Sequence, residues 1–372
     1  MINVGITGKE GFVGKHLHNT LNLDPEKYRL IPFEKLYFDE AEKLEGFVSQ
    51  CDVIVHLAAM NRHPDPEVIY HTNVQLVQKL VDALERTGAT PHVLFSSSSQ
   101  EERDNLYGKS KKEGRRLLAD WAEKNKGKFS GLIIPNVFGP FGKPYYNSFI
   151  ATFCHQLTHG ETPKIDVDGE VKLIYVGELI HNIIAEIENG ASHENYTVPF
   201  TSSIKVSEVL EKLKNFKELY FENGEIPVLD SSFDHQLFNT FRSFISHETH
   251  FPIKFTQHTD PRGSFVEVIR LGIGGQCSFS TTVPGITRGN HYHTRKIERF
   301  AVIKGKAQIQ LRKVDSEEVL DFFLDGNEPS YVDMPIWYTH NIKNIGEEEL
   351  YTIFWIDEPY NPEDADTYFL EV

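Results

Sequence analysis

The chain has 372 residues, 40% hydrophobic and 25% charged: enough apolar material to bury a core, and long enough that two folded domains are expected. Its 38 Lys and Arg stand against 54 Asp and Glu, a formal charge of −16, which disfavours nucleic acid and anionic membranes and obliges any anionic ligand to find a locally basic pocket. No run approaches the roughly 18 apolar residues of a membrane span, and the N-terminus enters a strand pattern without a signal-peptide layout, so a cytoplasmic protein is expected.

Residues 1–190 alternate the strand-like runs INVGIT, DVIVHLAA, HVLFSSS and GLIIPNV with helical patterns such as PEVIYHTNVQLVQKLVDALERTG. That rhythm predicts a parallel sheet covered by helices. VGELIHNIIAEIENG reads as a further amphipathic helix, and KVSEVLEKLKNF as another with Ser207 placed to cap it. From residue 252 onward, short runs broken by turns (SFVEVIRLG, CSFSTTVPG, FAVIKGKAQIQLRKV, PSYVDMP, LYTIFWIDEP) predict a small all-β barrel or sandwich. The aromatic-rich stretch from Phe233 to Phe251 marks the boundary, giving domains at 1–243 and 252–372. Cys51, Cys154 and Cys277 form no CxxC pair and are expected to be buried apolar side chains in a reducing compartment.

Three features of the first half carry chemistry. Thr7-Gly8-Lys9-Glu10-Gly11-Phe12-Val13-Gly14 follows the first strand and opens a helix, where glycines let backbone N–H groups reach a pyrophosphate at the positive helix end. Tyr107 and Lys111 lie four residues apart on one helical face, so the ammonium is expected to favour the phenolate for proton exchange with a carbonyl or alcohol. Ser96-Ser97-Ser98-Ser99 ends a strand, where sheet ligands bind; Ser98, with Ser97 second, is the hydroxyl expected to hold a substrate oxygen.

Together with HLAA at 56–59, Asn73 in HTNV and PNVFGP at 135–140, these features resemble the extended short-chain dehydrogenase/reductases over residues 1–240. The resemblance implies an α/β Rossmann-type domain, a nicotinamide cofactor, and Ser98, Tyr107 and Lys111 as catalytic residues. It places Gly8, Gly11, Phe12, Val13, Gly14, Lys35, Leu57, Ala58, Ala59 and Lys111 against the cofactor. After the second strand Glu34 suits the ribose hydroxyls of NAD and Lys35 the 2′-phosphate of NADP; NADPH is favoured because it suits a biosynthetic reductase.

In the second half, alternation puts His291 and His293 on one strand face, with Glu298 from the next turn or strand and His340 from a distant strand. Imidazoles and a carboxylate suit a borderline divalent ion such as Zn²⁺. The spacing G-x5-H-x-H-x4-E-x6-G at Gly285, His291, His293, Glu298 and Gly305, with His340 and Asn344 after it, resembles the cupins, except that Trp337 stands where Gly is usual. DPRGSF at 260–265 and RGNHY at 288–292 are similar to the sugar-nucleotide 3,5-epimerases, in which the match to His291 is a base. His291 is therefore either ligand or base. The full His/His/Glu/His set favours ligand, with Tyr338 as the alternative base. Arg262, Arg288 and Arg295 are candidate diphosphate contacts.

The order of domains resembles the bifunctional enzymes of bacterial capsule and O-antigen synthesis that make UDP-N-acetyl-L-fucosamine precursors. That resemblance implies a cupin that epimerises C3 of a UDP-linked 4-keto-6-deoxy-N-acetylhexosamine, UDP-2-acetamido-2,6-dideoxy-β-L-arabino-hex-4-ulose, and a reductase that then delivers hydride to C4. A homodimer is the expected assembly. A reductase with a structural or regulatory metal cupin, and a non-enzymatic sugar-nucleotide sensor, are the alternatives.

Overall fold

A computed structural model describes residues 1–261 and 263–372; Arg262, a candidate diphosphate contact, lies outside the described residues. The chain divides into two compact units, Met1–Thr152 with Ile165–Glu208 and Phe153–Lys164 with Val209–Val372.

In the first unit, strands β1 (Ile2–Thr7), β2 (Tyr28–Ile31), β3 (Val53–His56), β4 (His92–Ser98) and β5 (Lys128–Ile134) run into a side sheet of β6 (Asn136–Phe138), β7 (Glu170–Tyr175) and β9 (Ser202–Lys205), with β8 (His193–Thr197) closing the main sheet. The main sheet is parallel throughout, in the order β2-β1-β3-β4-β5-β8. All of VIVH in β3 and the first four residues of β4 are buried, as expected where helices cover both faces. Those helices include α1 (Phe12–Leu21), α2 (Ala41–Val48), α3 (Pro66–Thr87) and α4 (Leu106–Asn125). Helix α3 starts on the Asp65 carboxylate, which accepts the Glu67 N–H, with Pro66 in its first turn, and stops at the left-handed Gly88. The Asn105 side chain caps α4 through the Gly108 N–H at 2.7 Å. Its buried positions include Gly108, Lys111, Gly114, Leu118, Trp121 and Ala122 at helical spacing, so Lys111 points inward from the second turn.

Helices α5 (Phe149–Thr158) and α7 (Val206–Phe216) carry the chain between units, while α6 (Val176–Asn189) belongs to the first. Ser207 was expected to cap α7; it lies inside the first turn instead, and its N–H and hydroxyl both donate to Asp168, at 2.9 and 2.8 Å.

The second unit begins with helical segments that include α8 (Ser232–Arg242) and continues through β10 (Ile253–Lys254), β11 (Gln257–Asp260), β12 (Gly263–Val266), β13 (Gln276–Thr282), β14 (Thr287–Tyr292), β15 (Glu298–Lys304), β16 (Lys306–Lys313), β17 (Val319–Asp325), β18 (Ser330–Met334), β19 (Tyr338–Asn344), β20 (Leu350–Ile356) and β21 (Tyr368–Phe369). Two five-stranded sheets, β10-β18-β15-β20-β13 and β17-β16-β19-β14-β21, enclose a core that includes Phe300, Val302, Ile309, Leu311, Phe322, Val332 and Ile342. The α/β Rossmann-type sheet is thus followed by an all-β, cupin-like double sheet, as the residue patterns predict.

The segment before residue 243 packs differently from its composition. Tyr220 donates to Asp333 at 2.7 Å, Arg242 donates to the Met334 carbonyl at 3.0 Å, and Arg299 grips Asp333 at 2.7 and 3.0 Å with both partners almost fully buried. Residues 209–243 therefore belong with the β-rich unit rather than with the parallel sheet. A buried acid, two guanidiniums and a phenol satisfy one another there, which a cut at 243 would undo. Of the cysteines, Cys51 and Cys154 are buried as expected but Cys277 is exposed on β13.

Candidate functional site

In the first unit the chemistry gathers at the carboxyl ends of β1, β3 and β4, beside the point where strand order reverses between β1 and β3. Gly11 precedes the first turn of α1. A Cβ on Gly14 would stand 2.3 Å from the Gly8 carbonyl oxygen, so only glycine lets the turn fold back onto itself. Phe12 and Val13 are half-buried in the first turn of α1. Thr7 joins this turn to the loop after β3: its carbonyl accepts the Leu57 N–H at 3.1 Å, and its hydroxyl meets the Ala58 N–H at 3.3 Å and His56 Nδ1 at 2.7 Å. Ala59 and its neighbours are pinned from below by Asn73, which accepts from Met60 N–H at 2.7 Å and donates to Ser110 at 3.1 Å. Glu34 and Lys35 are both exposed after β2.

The two serines differ in their partners. Ser97 is buried and donates to Glu101, which is in turn held by Arg115 at 2.8 Å, so it is consumed by structure. Ser98 accepts the Gln100 N–H at 3.2 Å and stands beside the Tyr107 phenol, whose proton affinity it lowers. The Lys111 ammonium donates to the Ser96 carbonyl at 2.8 Å and sits 5.8 Å from the Tyr107 ring centroid.

The expected electrostatics need correcting here. Burial, against the lowering effect of Ser98, pushes the Tyr107 phenol up to about 12, so the cation does not produce a phenolate. Burial also pulls Lys111 down to about 8. A phenol that stays protonated suits donation to an alkoxide, the reductive direction.

In the second unit His291 on β14, His293 just beyond it, Glu298 opening β15 and His340 on β19 bring their ligand atoms within 4.8 Å of one another. The imidazole Nε2 atoms of His293, His340 and His291 lie 2.9, 3.2 and 3.9 Å from Glu298 Oε2. Backbone carbonyls hold the opposite nitrogens: His293 Nδ1 meets Asp366 O, and His340 Nδ1 meets Tyr338 O at 3.1 Å. A bulge sets His291: Gly289 and Asn290 have φ of +100° and +64°, and a Cβ on Gly289 would come 2.8 Å from the His340 carbonyl oxygen. Burial raises the Glu298 carboxyl, but the His293 bond and the His340 imidazole beside it outweigh burial and hold the acid ionised. Burial with His340 nearby draws His291 down to about 4, whereas Glu298 overcomes burial to raise His293.

This donor set fits a divalent ion. The buried His340 Nε2 has no hydrogen-bond partner among the described residues although it faces the carboxylate. Three imidazoles, two of them with the far nitrogen anchored on a backbone carbonyl, and one ionised carboxylate make an N/O shell of the kind zinc accepts.

Three of the four, His291, His293 and Glu298, border an open cavity of about 430 Å³, also lined by Gln276, Ser280, Arg288, Lys296, Tyr360 and Thr367. Tyr338 does not line it; that side chain packs toward the core and against His247, with ring centroids 5.4 Å apart. Tyr360 is the phenol at the cavity. Arg288 lines the cavity, but Arg295 is bound to Glu358 at 3.1 Å and Asp364 at 2.8 Å. Trp337, standing where Gly is usual, keeps the turn in the left-handed region at φ +61°, an uncommon state for a bulky side chain. Lys296 was missed from the residue pattern although it is almost fully buried. Its place two residues before Glu298, in the segment that joins the two candidate ligand strands, is the signal that could have found it.

Comparison with known proteins agrees with both units. The family model described as NAD dependent epimerase/dehydratase family matches residues 4–198, and the one described as polysaccharide biosynthesis C-terminal domain matches residues 258–368. The chain is 31% identical over 373 aligned residues, covering 100% of this chain and 99% of the relative, to a Pseudomonas aeruginosa protein named UDP-2-acetamido-2,6-beta-L-arabino-hexul-4-ose reductase. It is 29% identical over 123 residues, 30% of this chain and 82% of the relative, to the spore coat polysaccharide biosynthesis protein SpsL of Bacillus subtilis. Among solved structures, the capsular polysaccharide assembling protein CapF of Staphylococcus aureus is 36% identical with a TM-score of 0.64, each chain covered over 100% of its length. The strand-end constellation, the His/Glu cluster and the full-length likeness agree that this chain belongs to the NAD dependent epimerase/dehydratase family, in the form that carries a polysaccharide biosynthesis C-terminal domain.

Proposed function

We propose that the chain is a bifunctional enzyme acting on UDP-2-acetamido-2,6-dideoxy-β-L-arabino-hex-4-ulose, with C3 epimerisation in the cupin preceding NADPH-dependent reduction at C4, to give UDP-N-acetyl-6-deoxy-L-talosamine for capsule or O-antigen precursors. The observation that carries it is the Ser98–Tyr107–Lys111 arrangement at the strand ends, in a chain similar over its full length to a reductase named for that ketone.

At the reductase site Ser98 holds the C4 oxygen, and the protonated Tyr107 gives its proton to that oxygen as the alkoxide forms. Lys111 fixes the phenol and reaches a ribose hydroxyl of the cofactor. NADPH, when bound along Gly8–Gly14 and the Leu57–Ala59 loop with Lys35 at its 2′-phosphate, supplies the hydride.

At the cupin site His291, His293, Glu298 and His340 would hold Zn²⁺, which when bound polarises the ketone oxygen. Arg288 faces the cavity from which a diphosphate would be gripped. Lys296 adds a buried cation to the same wall, and Tyr360 is the phenol available to the C3 proton. The order is fixed by chemistry: the C4 ketone acidifies the C3 hydrogen only until it is reduced.

The proposed setting is a cytoplasmic homodimer, which sedimentation velocity tests. NMR of products formed from the UDP-linked ketone in D₂O, with and without NADPH, tests the chemistry. Deuterium at C3 without cofactor and a C4 alcohol with it are expected. Reduction with no C3 exchange would instead support a reductase with a structural metal cupin.

A further inference from the structure

The segment at Ala365 and Asp366 meets the loop between two of the candidate ligands, chiefly through one side chain. The carboxylate of Asp366, 4% exposed, accepts the backbone N–H groups of Thr294, Arg295 and Lys296 at 3.0, 3.1 and 3.1 Å, and the Thr294 hydroxyl at 2.6 Å. Its own carbonyl accepts from His293 Nδ1, and the preceding Ala365 carbonyl accepts the Lys296 ammonium at 2.8 Å. All the groups bound lie between His293 and Glu298. Asp366 adopts φ +42°, a backbone state that persists where surrounding contacts over-determine it. Just beyond, β21 pairs with β14, with Phe369 opposite His291, and the Leu370 N–H donates to the Asn290 carbonyl at 3.0 Å.

We infer that Asp366 is a positioning residue of the metal centre, and that the C-terminal segment is part of that centre rather than a trailing strand. A histidine whose Nδ1–H is committed to a carbonyl has its Nε2 lone pair and ring plane set for a ligand. The Asp366 carbonyl makes that commitment for His293, and its carboxylate locks the 294–296 turn that fixes the distance from His293 to Glu298. An amide in place of the carboxylate would turn an NH₂ toward one pair of those donors, so the turn would loosen while the chain composition hardly changed. The inference rests on reading His291, His293, Glu298 and His340 as metal ligands.

Full-length protein stripped with a chelator and titrated with Co²⁺ alone, followed by visible absorption, tests it. Wild type should bind one Co²⁺ per chain with a ligand-field spectrum. D366N should bind about 10- to 100-fold more weakly, the scale of outer-shell partners, with altered bands. A folded D366N matching wild type in affinity and spectrum overturns the positioning role. Wild type that binds no Co²⁺ removes the metal reading itself, and the inference with it, a result distinguishable from the first. If D366N does not fold, T294V removes one hydroxyl donor from Asp366 at nearly constant volume; it should weaken Co²⁺ by a smaller factor, and wild-type binding in that variant overturns the inference.

Discussion

His291 of β14 stands opposite His340 of β19 in the antiparallel ladder, with ring centroids 4.5 Å apart, just past a bulge at Gly289. Without that extra residue the strand parity would turn one imidazole away from Glu298. Zinc retention should therefore depend on both strands. We expect one zinc per chain in protein purified without chelator, and loss of most of it in H340A, measured by elemental analysis. Full occupancy in H340A would remove His340 from the ligand set.

Replacing Tyr107 by Phe should lower NADPH oxidation by about 10²- to 10⁴-fold, the range of a lost general acid. Exchange of the C3 hydrogen for deuterium should continue, because the His/Glu cluster lies in the other unit. Near wild-type reduction by this variant would discard Tyr107 as the proton donor.

The two neighbouring serines should separate cleanly. S98A should lower kcat for reduction, since Ser98 stands beside the Tyr107 phenol. S97A should leave kcat close to wild type but destabilise the unit by about 1 kcal/mol, because Ser97 bonds the buried Glu101. Steady-state kinetics beside denaturant melts would expose a reversal of the two roles.

The pH dependence follows from Lys111, drawn down by burial to about 8. Its folded value lies below its unfolded one, so this site opposes folding most where the lysine is charged in both states. Its contribution to stability should rise as pH climbs from about 8 toward the ordinary lysine range. Activity should move the other way: reductase kcat/KM should fall above about 8 as the ammonium loses its proton, while Tyr107, held near 12, stays protonated. A K111R variant that retains activity should show no such limb. A wild-type profile flat across that range would count against a functional Lys111.

Breaking the buried Arg299–Asp333 pair by D333N should destabilise the β-rich unit by about 3–5 kcal/mol, since an uncompensated guanidinium remains. Separating Tyr220 from Asp333 and Arg242 from the Met334 carbonyl should also make a chain cut at 243 prone to aggregate. A soluble, monodisperse 1–243 fragment would contradict that packing.

What was legible from residues alone was local or periodic. Tyr107 and Lys111 share a face because a helix repeats every 3.6 residues, and the Gly8–Gly14 turn follows from the strand before it and the helix after it. The β-rich half and the His291/His293/Glu298/His340 set were legible for the same reason, as short spacings with a defined parity. The sequence favoured Ser98 over Ser97; what it could not show is that Ser97 is bonded to the buried Glu101 held by Arg115 while Ser98 stands beside Tyr107. Tyr338 gave way to Tyr360 because strand pairing, not spacing, decides which phenol faces the cavity. The 209–243 segment looked like the end of the first domain, yet its buried Tyr220 and Arg242 find their partners at Asp333 and Met334. Asp366 lies far along the chain from the loop it holds; hydrogen bonds across such separations leave no period in the sequence, and only the closed fold decides them.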